Sequence, residues 1–154
     1  MHDGDDVNGS VAAGDLFAFY GLLKKGARGM PTHIDLASSG TFLGSCWFRG
    51  TMYALDGYPG VVDGDTLCCG VRYRVEAPNI IGDLDDFEDV LPHDIERSLY
   101  LRKRTTVLTK KGRPTGETAW VYWYNQSIEG RRLIPSGDWP LSAGRPLTDK
   151  YGDR

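Results

Sequence analysis

The first strong pattern of apolar positions is the unbroken run Leu16-Phe17-Ala18-Phe19-Tyr20, stopped by Gly21. A run this short, aromatic and free of alternation predicts a central strand buried on both faces. Residues 21–26 follow as a loop, and residues 27–41 are mostly connection, with one short helical turn expected over 32–37. Residues 42–55 alternate unevenly around Gly44 and Gly50, which predicts a bent or bulged strand pair. A turn at Asp56-Gly57 and a Gly/Asp-rich connection over 61–66 come next. Residues 67–76 alternate cleanly: Leu67, Cys69, Val71, Tyr73 and Val75 fall on one side and Cys68, Gly70, Arg72, Arg74 and Glu76 on the other, so a half-buried strand is predicted. Residues 99–109 and 119–125 are rich in β-branched and aromatic side chains and predict a long hairpin joined through the polar stretch 110–116. A turn-rich segment, Ile134-Pro135-Ser136-Gly137-Asp138-Trp139, closes the pattern.

Between these strands the period changes. Spacing of about 100° per residue puts Ile80, Leu84, Phe87 and Leu91 on one face of a helix that opens at Pro78 or Asn79 and is closed by Pro92. Glu88 falls between the directions of Leu84 and Ile81, inside the apolar stripe, whereas Asp85, Asp86 and Asp89 point elsewhere. A carboxylate in that position has two readings. It is either an edge acid satisfied by a partner, or a desolvated group whose pKa is raised toward the range in which it can take and return a proton.

Composition narrows the classes. The 154 residues fit one domain, and 40% hydrophobic residues with 25% charged ones are ordinary for a globular core. Residues 1–14 offer almost nothing to bury and are expected as a flexible tail, residues 15–140 as the domain, and residues 141–154 as a mobile end. A net charge of -3 supplies no electrostatic reason to expect nucleic acid or an anionic membrane. Arg102, Lys103 and Arg104, like Lys24 and Lys25, are expected as solvated positions. No stretch is apolar enough to span a membrane and no signal-peptide pattern opens the chain, so a cytoplasmic protein is expected. Cys46, Cys68 and Cys69 show neither a disulfide framework nor metal-ligand spacing, and His33 and His93 are expected at the surface.

The motifs of nucleotide-binding loops, serine hydrolases and zinc proteases are absent. What remains is Glu88, a glycine-ended buried strand whose following N–H groups are suited to a carboxylate or oxyanion, and abundant tyrosine. Such a set suits binding of a small, polar, amino-acid-like ligand and proton transfer without metal or cofactor.

These residues meet a known pattern. Tyr20-Gly21-Leu22-Leu23, Gly57-Tyr58-Pro59-Gly60, Leu84-Asp85-Asp86-Phe87-Glu88, then Tyr100, residues 119–124 and Ser136-Gly137-Asp138-Trp139 closely resemble the gamma-glutamylcyclotransferase-like family in order and rough spacing, from about residue 16 to 139. The resemblance implies a single compact α+β domain, a small mixed β-barrel with a few short helices, and a pocket at the end of the first strand. It implies cyclisation of a gamma-glutamyl group to 5-oxoproline with release of the attached amine, Glu88 as the catalytic acid, and Tyr20, Gly21, Leu22 and Leu23 as the loop that holds the small-molecule gamma-glutamyl substrate. Two positions depart from the family pattern: Leu22 replaces the commoner small polar residue, and Asp89 stands where glycine more often follows the glutamate. A further pocket tyrosine stays open among Tyr58, Tyr100, Tyr122 and Tyr124, as does the oligomeric state. The same fold also accommodates a non-catalytic binding module, or a biosynthetic enzyme removing a gamma-glutamyl protecting group.

Overall fold

In the computed structural model, which describes residues 7–24 and 30–140, the apolar run becomes strand β1 (Leu16–Phe19) at the middle of the sheet. Its alternate side chains serve two cores: Phe17 and Phe19 pack into one cluster, Ala18 and the following Tyr20 into the other. After a short helix α1 (Leu36–Ser39), β2 (Gly40–Ala54) and β3 (Pro59–Val75) form a long antiparallel hairpin. A 3-10 turn (Pro78–Ile80) leads into α2 (Ile81–Phe87); β4 (Tyr100–Leu108), β5 (Pro114–Tyr124) and the short β6 (Arg132–Leu133) complete the order.

Strand β1 runs antiparallel to β3 and parallel to β5, and β5 pairs with β4, β4 with β2, and β2 again with β3. The chain is therefore an α+β domain dominated by one mixed sheet whose strands follow one another in a ring, with few and short helices. One core lies where Phe17, Tyr73, Trp120 and Tyr122 meet Ile80, Leu84 and Phe87 of the helical segment. The other gathers Ala18, Phe48, Met52, Cys68, Val121 and Trp139.

Several local expectations are corrected. The strand pair expected over 42–55 is one continuous strand, bent where Leu43 and Gly44 stand opposite Arg72, with Gly44 at φ 96°. The connection expected over 61–66 belongs to β3. Extra residues Asp63, Gly64 and Asp65 bulge out there, between the pairs Thr51↔Val62 and Gly50↔Thr66, because each flanking stretch can keep its own register with β2. Of the expected N-terminal tail, residues 1–6 lie outside the described residues, as do 141–154 at the other end. Residues 7–14 are hydrogen bonded to the sheet: Asn8 N–H donates to the Arg102 carbonyl (2.7 Å) and Gly14 N–H to the Val75 carbonyl (2.7 Å).

The most consequential correction concerns the helix, which ends at Phe87 instead of continuing to Pro92. Asp89 adopts φ 54°, its N–H bonds the Asp86 carbonyl (3.2 Å), and the Val90 N–H reaches back to the Asp85 carbonyl (2.9 Å). That pair of bonds is a Schellman closure, and it makes Glu88 the C-cap residue. Val90 is then turned into the core, while Leu91, expected on the buried stripe, is 41% exposed.

The left-handed geometry at Asp89 predicts an order of stability. Asp89→Gly should be at least as stable as the wild type, whereas Asp89→Val should lose about 1–2 kcal/mol, because a β-branched residue clashes in that conformation. Equal urea midpoints for the two variants would refute the closure.

Candidate functional site

A pocket opens where β1 ends, and it takes its walls from three separated parts of the chain. Gly21 turns the chain away from the sheet so closely that a Cβ there would stand 2.9 Å from Pro59 Cγ and 3.0 Å from its Cδ. The turn is closed by the Lys24 N–H on the Gly21 carbonyl at 3.1 Å. Leu22 and Leu23 bury their side chains in the core, so the loop lends the pocket chiefly main chain. Pro59 and Tyr58 form a second wall, and Phe87 and the half-buried Glu88, at the end of α2, a third. Tyr100 and Tyr122 reach in from β4 and β5.

Tyrosine hydroxyls fasten these walls to one another. The Tyr20 hydroxyl donates to the Tyr122 carbonyl (2.6 Å) and accepts from the Val61 N–H (3.2 Å). The Tyr100 hydroxyl donates to the Pro59 carbonyl (2.6 Å), and the Tyr122 hydroxyl to Asp85 Oδ1 (2.7 Å). Burial pushes the Tyr20 phenol well above its ordinary pKa, and the charge of Glu88 pushes it further. Tyr100 is held up by burial, then by Tyr20 and Glu88; Tyr122 by burial, then by Asp85, with Glu88 adding to both. Three neutral phenols thus sit in the field of one carboxylate.

The structure brings all the sequence-derived candidates together: Glu88, Tyr20, Gly21, Leu22 and Leu23 line the same pocket. Of the tyrosines left open, Tyr58, Tyr100 and Tyr122 line it too, whereas Tyr124 packs behind, edge-on to Tyr100 with ring centroids 5.6 Å apart. Strand alternation could have put Tyr100 and Tyr122 on a common face, but no local signal says that the face meets the end of β1.

Charged positions depart from expectation. Lys24 is buried, not solvated; its ammonium donates to the Trp139 carbonyl and lies 3.5 Å from Asp138 Oδ1. The closing segment around Asp138 and Trp139 caps the charge; Lys25 lies outside the described residues. Arg102, also expected at the surface, is 4% exposed and grips Asp85 with Nε and Nη2 at 3.1 and 3.0 Å. Asp85 therefore faces the sheet instead of solvent. His33 and His93 are exposed, and the three cysteines are free thiols.

Comparison with known proteins agrees with this geometry. The chain belongs to the gamma-glutamyl cyclotransferase, AIG2-like family, whose model matches residues 17–141. It is 35% identical over 88 residues to a Vibrio cholerae protein provisionally named as a gamma-glutamylcyclotransferase, an alignment that spans 57% of this chain and 64% of that protein. It is 31% identical over 88 residues to the gamma-glutamylcyclotransferase family protein YtfP of Escherichia coli K12, spanning 57% of this chain and 66% of YtfP. The solution structure of E. coli YtfP superposes with a TM-score of 0.51 at 27% identity, covering 70% of this chain and 84% of that one. Bacillus subtilis YkqA shares the fold at a TM-score of 0.56 and 23% identity, over 82% of this chain and 39% of YkqA.

Two outcomes follow from the pocket. Gly21→Ala should lose about 1–3 kcal/mol in urea unfolding, because its methyl group meets the Pro59 ring and the loop must shift; an unchanged midpoint would show that the turn is not tightly packed. Stability should also fall as pH rises above about 9. In the unfolded chain thiols and phenols ionise near their ordinary 9 and 10, while in the native state Cys46, Cys68 and Tyr73 are pushed up to about 12 and Tyr20, Tyr100 and Tyr122 well above 10. The unfolded state then binds fewer protons, so this contribution is complete below pH 9 and lost on the alkaline side. Urea midpoints that stay level from pH 8 to 11 would contradict it.

Proposed function

We propose that this protein is a gamma-glutamylcyclotransferase that cyclises the gamma-glutamyl group of a small-molecule substrate to 5-oxoproline and releases the attached amine. The observation that carries this reading is the shared pocket of Glu88 and the main chain of the Tyr20–Leu23 loop, and membership of the family supports it.

Under this hypothesis Glu88, ionised, takes a proton from the substrate's α-ammonium. The freed amine attacks the γ-carbonyl, forming the lactam C–N bond through a tetrahedral intermediate; the old amide C–N bond then breaks. Over the cycle the ring nitrogen loses two protons and the leaving amine gains two, so Glu88 carries each across in turn. The nucleophile belongs to the substrate, so the protein's main task is to hold the glutamyl chain curled, which makes the attack effectively unimolecular. The N–H groups of Leu22 and Leu23 are assigned to the α-carboxylate or the oxyanion. The neutral tyrosines leave the carboxylate without a second negative charge from a phenolate beside it.

Incubation with a panel of gamma-glutamyl amino acids and amines, read by mass spectrometry for 5-oxoproline, tests the reading. The wild type should release it, and Glu88→Gln, folded by circular dichroism, should turn over about 10²–10⁴-fold more slowly. Equal turnover would remove Glu88 from the chemistry. Silence of the wild type across the panel, with its melting temperature raised by the same compounds, would make the protein a binding module. The preferred leaving amine would separate a degradative enzyme from one that removes a gamma-glutamyl protecting group in biosynthesis.

A further inference from the structure

The strongest arrangement outside the pocket is the environment of Arg102, each of whose three guanidinium nitrogens donates a hydrogen bond. Besides its two bonds to Asp85, Nη1 donates to the Gly9 carbonyl at 2.6 Å, and the group lies 5.0 Å from the centre of the Trp120 ring. Its main chain is held as well: the Arg102 N–H donates to Asn8 Oδ1 (2.9 Å), and its carbonyl accepts the Asn8 N–H (2.7 Å). With its side chain 5% exposed and that of Asp85 21%, the pair is largely removed from water. The planar fork and the bidentate carboxylate leave little rotational freedom.

Asp85 sits on α2, three residues before Glu88, so the two share the helix end. Asp85 also accepts the Tyr122 hydroxyl; Tyr122 lends its ring to the pocket and its carbonyl to the Tyr20 hydroxyl. A continuous path therefore runs from the N-terminal segment through Arg102 to Asp85, and from Asp85 both to Glu88 along the helix and to Tyr20 through Tyr122. It spans the two halves of the pocket, the carboxylate side and the loop side.

We propose that Arg102, through Asp85 and Tyr122, is a positioning residue that sets where the Glu88 carboxylate stands relative to the Tyr20–Leu23 loop, and that the segment Asn8-Gly9 completes its setting. The inference rests on Glu88 being the proton carrier. Arg102 does not line the pocket, so its effect passes through the residues it holds.

The test pairs an activity measurement with one that needs no turnover. Arg102→Lys keeps the charge and loses the fork; Tyr122→Phe keeps the ring and loses only the bond to Asp85, and serves should the lysine variant fold poorly. In either variant kcat should fall on the order of 10- to 100-fold, after correction for folded fraction, with KM changed by no more than about threefold, the signature of a misplaced group and not of a lost binding contact. In protein labelled with 13C at glutamate carboxyls, the Glu88 signal, assigned by its loss in Glu88→Gln, should move, while those of the exposed Glu76 and Glu129 stay. A wild type that releases no 5-oxoproline would sink the functional reading alone, leaving the positioning inference to stand or fall on that signal. A Glu88 signal unmoved in folded Arg102→Lys or Tyr122→Phe would overturn the inference whatever the activity, and so would undiminished kcat in a variant whose signal has moved.

Discussion

One buried hydroxyl, that of Tyr20, ties together three strands that are far apart in the chain. It donates to the Tyr122 carbonyl on β5 and accepts the Val61 N–H on β3, while its own backbone continues β1. Each of those groups, stripped of water and left unpaired, would cost about 1–3 kcal/mol. The bond pattern therefore fixes how β1 ends between its neighbours. The pocket depends on it, because Gly21 turns away from the sheet at that spot and the Pro59 segment beside it is held by Tyr100 from the other side.

The opposite wall obeys a different constraint. Glu88 follows a helix of only 7 residues, too short to be stable on its own. Tertiary contacts hold it: Leu84 and Phe87 are buried in the core, and Asp85 is clasped by Arg102 and Tyr122. A buried ion pair contributes little net stability when intact, yet removal of one partner leaves an uncompensated charge and is strongly unfavourable. Its benefit here is geometric. The Schellman closure at Asp89 then ends the helix, so that Glu88 lies at the helix terminus and Val90 returns to the core.

Legibility in the sequence followed the range of the forces involved. The double burial of β1, the β4–β5 hairpin and the presence of a helix around Leu84 are local periodicities and were readable; a strand over 67–75 was readable too, but its buried set runs from Cys68 and Gly70 to Tyr73 and Val75 instead of following the single face that the alternation predicts. The bulge at Asp63-Gly64-Asp65 was not, because nothing local distinguishes an extra loop within a strand from a connection between strands. The helix end was misplaced for a related reason: Pro92 is a visible stop, whereas a left-handed Asp89 is permitted by its residue type without being announced by it. Lys24 and Arg102 were read as solvated because a charged residue is usually exposed, and Asp85 only as pointing away from the apolar stripe. Only the packed structure supplies the partners that make their burial tolerable.

By itself, then, the sequence determined that residues 16–19, 67–75, 100–108 and 119–124 are extended, that a carboxylate lies on a partly buried helical segment, that a glycine ends the central strand, and, through the order of its short motifs, which family the chain resembles. The tertiary structure decided that Glu88 and the Tyr20–Leu23 loop share one pocket, that Tyr58, Tyr100 and Tyr122 line it and Tyr124 does not, and that Arg102 secures the helix from behind. Periodicity acts over a few residues, whereas each of these pairings joins separate elements of the chain. Such contacts follow from how the strands close around the core and are not written in any one segment.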